Sequence, residues 1–347
     1  MFRAGSIFDQ EWWYDAATDK NWHKVEYDDG KLVKASLVFT TYKDNGLKIV
    51  GMPAQARVMQ PIIEFRPVET KHQLSALIKA LSALGEQLPK FDQFRYTLPP
   101  DSELDLAFCL AGYEVGTGFT FRSTVCTSDD PWQKMDKRVR KNIRAGAKRM
   151  EVEIHRDIER YIRLSRKFIG ARSFKDINDY DAMRRIWEAC DQRNQALIAS
   201  CVGKDGKDIA GAFILRDEAH LYHWLGCRDP DSSDYTANSL LTWRCIELAQ
   251  TENLIFDMDG YANTNGGIFK SRFGLIPERR SVITRTTSRA ALRCAISSQI
   301  RCIVGPTLRK GLLTIKNAVA KPKEDASLPR PSSKEANEIR NEPPLRA

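Results

Sequence analysis

The chain has 347 residues, of which 42% are hydrophobic and 29% are charged. This length is typical of about two domains, and the composition excludes a wholly disordered or collagen-like chain. The formal net charge is +9 at pH 7. By itself that balance indicates a polyanionic partner, such as nucleic acid, a nucleotide or an anionic membrane surface.

The positive charge is concentrated in two segments. Residues 134–149 hold eight Lys or Arg and one Asp, and residues 285–323 hold nine Lys or Arg and no acid. The rest of the chain contains 37 of the 54 basic and 44 of the 45 acidic residues, so its net charge is −7. The sequence therefore predicts two local basic surfaces, and not an overall polyanion-binding surface.

No targeting segment or metal motif is visible. The N-terminal residues lack an apolar stretch of signal-peptide length, and no window reaches 18 consecutive apolar residues, so a cytoplasmic protein is expected. The eight cysteines include no C-x-x-C pair, and the five histidines do not fall at zinc spacings. Reduced thiols and no metal are therefore expected.

The first half predicts a mixed series of strands and helices. In chain order these are a helix at 8–17, strands at 25–27, 32–41 and 47–50, a helix at 74–88, a strand at 91–98, a helix at 102–110 and a strand at 113–122. Asp-Gly and Asn-Gly turns separate the early strands, and the helix at 74–88 has apolar residues at helical spacing.

The second half repeats this order. Its elements are a strand at 151–155, helices at 157–169 and 179–194, strands at 196–202, 208–216 and 220–226, a helix at 237–252, a strand at 254–258, a short helix near 267–272 and a strand at 281–286. The helix and strand at 74–98 correspond to those at 237–258. We therefore predict an internal structural repeat, with a binding groove shared by two α/β units.

An ordered set of motifs lies in the second half. They are RKNIRAGAK at 140–148, LYHWLGCRDPD at 221–231, ANSLLTWRCIELA at 237–249 and FDMDGYANTNGGIFKSRFG at 256–274. The order resembles the GNAT-type acyltransferases related to the Fem peptidyltransferases, which are often found near polysaccharide or envelope biosynthesis enzymes. Single motifs are weak, but their ordered combination is fairly specific, and the likeness covers about residues 8–288.

The resemblance implies an α/β fold of two tandem GNAT-like domains, with mixed, largely antiparallel sheets flanked by helices. The predicted division is 1–125, 126–288, a basic amphipathic helix region at 289–320 and a disordered tail at 321–347. The implied activity is transfer of an acetyl or aminoacyl group onto an amine or hydroxyl of a cell-envelope or polysaccharide precursor. The alternative is a non-catalytic protein that binds RNA or a membrane surface on a degenerate GNAT scaffold.

The acyl donor stays open. GNAT enzymes that use CoA thioesters hold the pyrophosphate with an R/Q-x-x-G-x-G/A loop before the long helix, whereas residues 227–239 read CRDPDSSDYTANS, without glycine. Acyl-CoA is one donor and aminoacyl-tRNA is the alternative. The residues predicted to bind donor phosphate are Arg140, Arg144, Asn238 and Ser239, on a basic helix and at a helix N-terminus.

The resemblance makes Lys270 the leading catalytic candidate, because an ammonium there would stabilise a developing oxyanion. Asp257, or water that it holds, is the predicted general base, and His223 is a weaker alternative. For each of these residues a purely structural role is the competing interpretation. The residues predicted to line the acceptor groove are Tyr222, Trp224, Gly260, Phe269 and Arg272.

The two basic segments predict anionic partners. We expect residues 134–149 and 289–316 to contact tRNA or an anionic membrane surface. The acceptor is expected to be a small molecule or a lipid-linked precursor. The expected location is cytoplasmic, peripheral to the inner face of the membrane. A C-terminal helix packed on its own domain, with arginines outward, is the alternative for the second segment.

Overall fold

The computed structural model describes residues 6–53, 55–67, 69–123, 130–171, 179–261, 263–288 and 290–291. The strands are β1 (His23–Asp28), β2 (Val33–Asp44), β3 (Leu47–Gly51), β4 (Ile62–Phe65), β5 (Gln93–Thr97), β6 (Glu114–Arg122), β7 (Met150–His155), β8 (Ala196–Gly203), β9 (Asp208–Arg216), β10 (His220–Arg228), β11 (Ile255–Asp257) and β12 (Ile276–Thr286). The helices are α1 (Glu11–Thr18), α2 (Thr70–Glu86), α3 (Asp105–Leu110), α4 (Pro131–Lys134), α5 (Lys137–Ala147), α6 (Ile158–Gly170), α7 (Tyr180–Asp191), α8 (Ala237–Thr251) and α9 (Thr264–Ser271).

The described strands form one sheet, in the order β1-β2-β3-β5-β12-β6-β11-β10-β9-β8-β7, with β4 paired to β2. Neighbours are antiparallel except for β3 with β5 and β10 with β11, which are parallel. Both parallel pairs are connected through a helix, α2 in the first half and α8 in the second, as parallel strands require. The central strands have the order β3-β5-β12-β6-β11-β10, which is symmetric about its middle. Exchanging each strand of the first half with its counterpart in the second half, β3 with β10, β5 with β11 and β6 with β12, gives the same order read from the other end.

The last strand of each half lies beside strands of the other half. β12 is inserted between β5 and β6, and β6 pairs with β11 at the register Arg122–Asp257. The sheet is therefore continuous across the chain, and positions up to 290 cluster as one compact unit. This exchange brings residues of both halves to the ends of β10 and β11.

Amphipathic helices cover the sheet. In α5, Val139, Ile143 and Gly146 are buried at helical spacing, while the basic residues between them face outward or are partly exposed. Asp136 begins this helix because its carboxylate accepts the Arg138 backbone N–H at 2.7 Å. The segment predicted as one basic helix is thus interrupted before Asp136 and continues as α5.

The predicted fold class is confirmed: the chain has a mixed α/β architecture with a largely antiparallel sheet flanked by helices. The strand β4 was not predicted, and β12 begins at Ile276, five residues before the predicted start. The division at residue 125 stays a prediction, and residues 292–347, with the basic helix region and tail, lie outside the described residues. No described helix is long and apolar enough to cross a membrane.

Candidate active site

A cavity of about 960 Å³ opens where β10 and β11 separate. The two strands pair only from His220 to Tyr222, although β10 continues to Arg228, and its pairing with β9 shifts register between His223 and Leu225. The gap is lined by the second half of β10, the first turns of α8, the loop after β11, and α9. Arg57, from the loop between β3 and β4, and Arg280, on β12, complete the wall.

Lys270 lies in this wall, near the end of α9. Its ammonium donates hydrogen bonds to the backbone carbonyl oxygens of Met258, Asp259 and Gly260, and the Asp259 contact is 3.2 Å. Burial lowers the pKa of Lys270 to about 8, Asp259 opposes this shift, and Arg57 reinforces it. The side chain is therefore a cation near neutral pH that holds the loop after β11.

Asp259 lies between two guanidinium groups. Its Oδ2 is 3.0 Å from Arg57 Nη1, and its Oδ1 accepts a hydrogen bond from Arg280 Nη1 at 2.7 Å. Burial disfavours the charged carboxylate, but the two arginines outweigh it and lower the pKa of Asp259 to about 2. With Lys270 and Arg228, the described wall of the cavity carries four cations and one carboxylate, a formal charge of +3.

The backbone of the same loop is constrained. Asp259 has a left-handed φ of 57°, which few residues other than glycine adopt. This conformation breaks the alternation of the strand, so Asp259 lines the cavity while Asp257 does not. At Gly260, a Cβ would lie 2.8 Å from Arg280 Nη2 and 3.1 Å from the Phe119 carbonyl oxygen, so a larger residue would have to displace both groups.

Asp257 is buried and fully hydrogen-bonded. Its Oδ1 accepts from Thr120 Oγ1 at 2.6 Å and from the Asp259 backbone N–H at 2.8 Å. Its Oδ2 accepts from Arg122 Nε at 2.7 Å. The Arg122 and Asp257 side chains are 5% and 7% exposed. The geometry thus favours a structural ion pair over the predicted general base, because both carboxylate oxygens accept hydrogen bonds from the protein and Asp257 does not line the large cavity.

His223 and Cys227 also line the cavity. Burial, reinforced by Lys270, lowers the pKa of His223 to about 4, so the imidazole is neutral at pH 7. Burial raises the pKa of Cys227 to about 12, and its Sγ donates to the Gly211 carbonyl oxygen at 3.8 Å. Cys227 is therefore a protonated thiol without the properties of a nucleophile.

The predicted acceptor residues divide into three groups. Phe269 and Gly260 line the large cavity, and Phe269 packs edge-on against Phe273 at 5.1 Å. Trp224 reaches the cavity wall but is otherwise core, since it is only 2% exposed. Tyr222 and Arg272 lie outside the cavity: the former donates its hydroxyl to Asp217, and the latter is exposed after α9.

The predicted phosphate residues do not converge on one site. Asn238 lines the cavity, Ser239 is buried in α8, Arg144 lies 5.2 Å over the Trp132 ring, and Arg140 donates to the Trp132 carbonyl oxygen. Of these four residues, the structure brings only Asn238 to the cavity. The sequence patterns do not identify Arg57 or Arg280 as site residues.

The loop before α8 is acidic at the position where the sequence lacks the glycine pattern of a pyrophosphate loop. Asp229 pairs with Lys167 at 2.7 Å, and Asp234 with Arg149 at 2.8 Å. Asp234 Oδ1 also accepts from the Thr236 backbone N–H at 2.9 Å, at the N-terminus of α8. The Asp234 carboxylate thus occupies a backbone donor that a phosphate would use, while Arg149 balances its charge.

Comparison with known proteins agrees with this architecture. Residues 133–264 match the family model of the acetyltransferase (GNAT) domain. FemX, 12% identical, superposes with a TM-score of 0.59 over 84% of this chain and 94% of that one. A search of curated proteins finds no significant match.

Two further structures have the same fold at 12% identity. The C-terminal domain of a putative lysylphosphatidylglycerol synthetase from Agrobacterium fabrum has a TM-score of 0.54 over 83% of this chain and 96% of that one. L-PGS from Bacillus licheniformis has a TM-score of 0.53 over 85% and 97%. The chain therefore contains an acetyltransferase (GNAT) domain within this fold. More particularly, its architecture is Fem-like, as the motifs predicted.

Proposed function

We propose that the protein transfers an acyl group, acetyl or aminoacyl, onto an amine or hydroxyl of a cell-envelope or polysaccharide precursor. The reaction takes place in the cavity of about 960 Å³. The observation that supports this proposal is the positive charge of the cavity, where Lys270, Arg57 and Arg280 lie close to the carboxylate of Asp259. An acceptor attacking an acyl carbonyl creates an oxyanion, and a site with excess positive charge stabilises it.

Lys270 is the proposed oxyanion-stabilising residue. All three of its ammonium hydrogens have carbonyl acceptors, so its charge acts through space until a substrate oxygen replaces one carbonyl. His223 is the proposed proton acceptor, since its neutral imidazole lines the same cavity. With Asp257 engaged by Arg122, that carboxylate holds the loop in place and does not take the proton.

The donor proposal follows from the acidic loop before α8. Asp234 at the helix N-terminus disfavours the pyrophosphate of CoA, so an aminoacyl group carried by tRNA is the first candidate donor and acyl-CoA the second. The fold relatives FemX and L-PGS are consistent with an envelope acceptor. Thermal-shift measurements with acetyl-CoA, longer acyl-CoAs and aminoacyl-tRNA test this order, because only a bound donor raises the melting temperature.

The exposed side of α5 is the proposed contact for an anionic partner, either tRNA or the inner face of a membrane. Lys137, Arg138, Lys141 and Lys148 are exposed along and just beyond this helix. Replacing Lys137 and Lys141 with Gln should weaken tRNA binding and reduce its salt dependence. Unchanged tRNA binding with reduced binding to anionic vesicles would assign the surface to the membrane.

Lys270→Met is the direct test of the chemistry, because methionine keeps the length of the side chain and removes its charge. We expect turnover to fall about 100-fold to 1,000-fold, the usual loss of one oxyanion-stabilising group. Lys79→Met, at an exposed position of α2 outside the cavity, is the matched control and should keep full turnover. Full turnover by a folded Lys270→Met variant would remove the assignment.

A further inference from the structure

The loop between β3 and β4 brings an arginine of the first half to the cavity of the proposed reaction. Arg57 lies in this loop and lines the cavity. The loop is anchored two residues later, where the Met59 backbone N–H donates to the Thr97 carbonyl oxygen on β5 at 2.9 Å. Met59 is also only 1% exposed. Arg57 is therefore presented from a fixed backbone.

Trp224 is the residue of β10 that the register shift leaves unpaired. β10 pairs with β9 at His223 and again at Leu225, and its pairing with β11 ends at Tyr222. In these described strands Trp224 therefore has no partner residue on either side. A bulge of this kind leaves the backbone carbonyl without a strand donor, and a buried carbonyl needs a donor from elsewhere.

Arg57 supplies that donor and also binds the facing loop. Its Nη2 donates a hydrogen bond to the Trp224 carbonyl oxygen, and its Nη1 is 3.0 Å from Asp259 Oδ2. Trp224 lies on β10 and Asp259 follows β11, so the two nitrogens bind opposite sides of the gap that forms the cavity. Because the guanidinium is a planar, rigid fork, these two contacts together fix the separation of the two sides.

A second contact joins the same loop to β10. Trp224 Nε1 donates to the Gln55 carbonyl oxygen at 3.0 Å. The indole packs edge-on against Phe213 and Trp13, with ring centroids 4.8 Å and 5.7 Å away. The bulge is thus bound to the loop through both its backbone and its side chain, so the contact with Arg57 is part of a defined geometry.

This bridge reaches the groups proposed to carry out the reaction. His223 directly precedes Trp224, and Lys270 donates to the Asp259 carbonyl oxygen at 3.2 Å. We propose that Arg57 is a positioning residue: beyond its share of the positive charge, it holds the bulge of β10 and the loop after β11 at the separation that transfer requires. This inference rests on the function proposed above for the cavity.

Arg57→Lys separates position from charge. Lysine keeps the charge, but its ammonium is a point charge without the fork, so it would bind the Asp259 carboxylate and release the Trp224 carbonyl oxygen. We expect kcat to fall about 10-fold to 100-fold, the scale of a displacement of about 1 Å, with little change in KM. Arg57→Gln, which removes the charge as well, should lose at least as much.

Nuclear magnetic resonance observes the bridge without turnover. Trp224 and Leu225 form the only Trp-Leu pair in the sequence. Labelling tryptophan carbonyls with ¹³C and leucine amides with ¹⁵N therefore gives a single correlated resonance, which reports the Trp224 carbonyl. Both Arg57 variants should move its carbon shift upfield, because the carbonyl loses a charged donor.

Arg66→Lys and Arg66→Gln are the matched controls. Arg66 binds Asp28 through two nitrogens, at 2.7 Å and 2.8 Å, outside the cavity. These variants should keep both kcat and the Trp224 resonance. The proposal requires both changes together in folded Arg57→Lys, so a wild-type kcat or an unmoved resonance would overturn it. Failure of the proposed function would appear instead as full turnover in folded Lys270→Met, while the resonance still reports the bridge.

Discussion

The buried pair of Arg122 and Asp257 gives the sharpest test of what Asp257 does. In Asp257→Asn the side chain keeps its size, but Arg122 loses the carboxylate that receives its Nε at 2.7 Å. Removing one partner of a buried ion pair costs about 3–5 kcal/mol. Arg122 retains Glu278 at 3.2 Å, so we expect the lower end, about 3 kcal/mol. For a compact unit of this size, that loss lowers Tm by roughly 5 °C.

Urea unfolding and calorimetry measure this loss, with Asp44→Asn as the matched control. Asp44 pairs with Arg95 at 2.8 Å, but the two side chains are 37% and 41% exposed, so this change should cost less than about 1 kcal/mol. If Asp257→Asn kept wild-type stability and lost turnover, the carboxylate would be the general base and the structural assignment would be wrong.

Three further predictions concern the loop after β11. Turnover should fall as pH rises through about 8, where Lys270 loses its proton, and Lys270→Arg should move that fall to higher pH in a pH–rate profile. The pKa of Asp259 is about 2 in the folded protein, against 3.8 for an ordinary aspartate, so its stabilisation is complete above pH 4 and is lost as pH falls to 2. Comparing urea unfolding of wild type and Asp259→Asn at pH 6 and pH 2 should reveal a difference of about 2 kcal/mol. Gly260→Ala should destabilise by about 1–3 kcal/mol, measured by urea unfolding, because its Cβ would meet Arg280 and the Phe119 carbonyl oxygen.

The elements of the fold are largely predictable because their signals are local. The apolar stripe that predicts a helix at 74–88 corresponds to α2, and the alternation and turn residues place β2 and β3 within a few residues. β4 is missed because its four residues follow a segment with Pro53 and Pro61 and are too short for a clear period. The start of β12 is missed because Pro277 and charged residues precede its apolar part.

The site is less predictable because it depends on strand pairing between distant segments. Lys270 and Asp257 are identified from the sequence because both lie in a motif. The hydrogen bond between Asp257 and Arg122 is not predictable in this way, because the two residues are 135 positions apart. Arg57 and Arg280 are not identified as site residues because they reach Asp259 only in the folded chain, Arg57 from the loop after β3 and Arg280 from β12. The left-handed backbone at Asp259 also decides which of two neighbouring carboxylates lines the cavity.

The exchange of β6 and β12 therefore makes the site a product of both halves. The segment that matches the GNAT family model begins at residue 133, after Arg57 and Arg122, and ends at residue 264, before Lys270 and Arg280. It contributes the parallel pair of β10 and β11 and the helix α8, which open the cavity, and it contributes Asp257 and Asp259. The charges that set the properties of these carboxylates come from the strands and loops around it. A change in the first half that moves β6 should alter the loop after β11, because Asp257 is fixed to Thr120 and Arg122 of that strand.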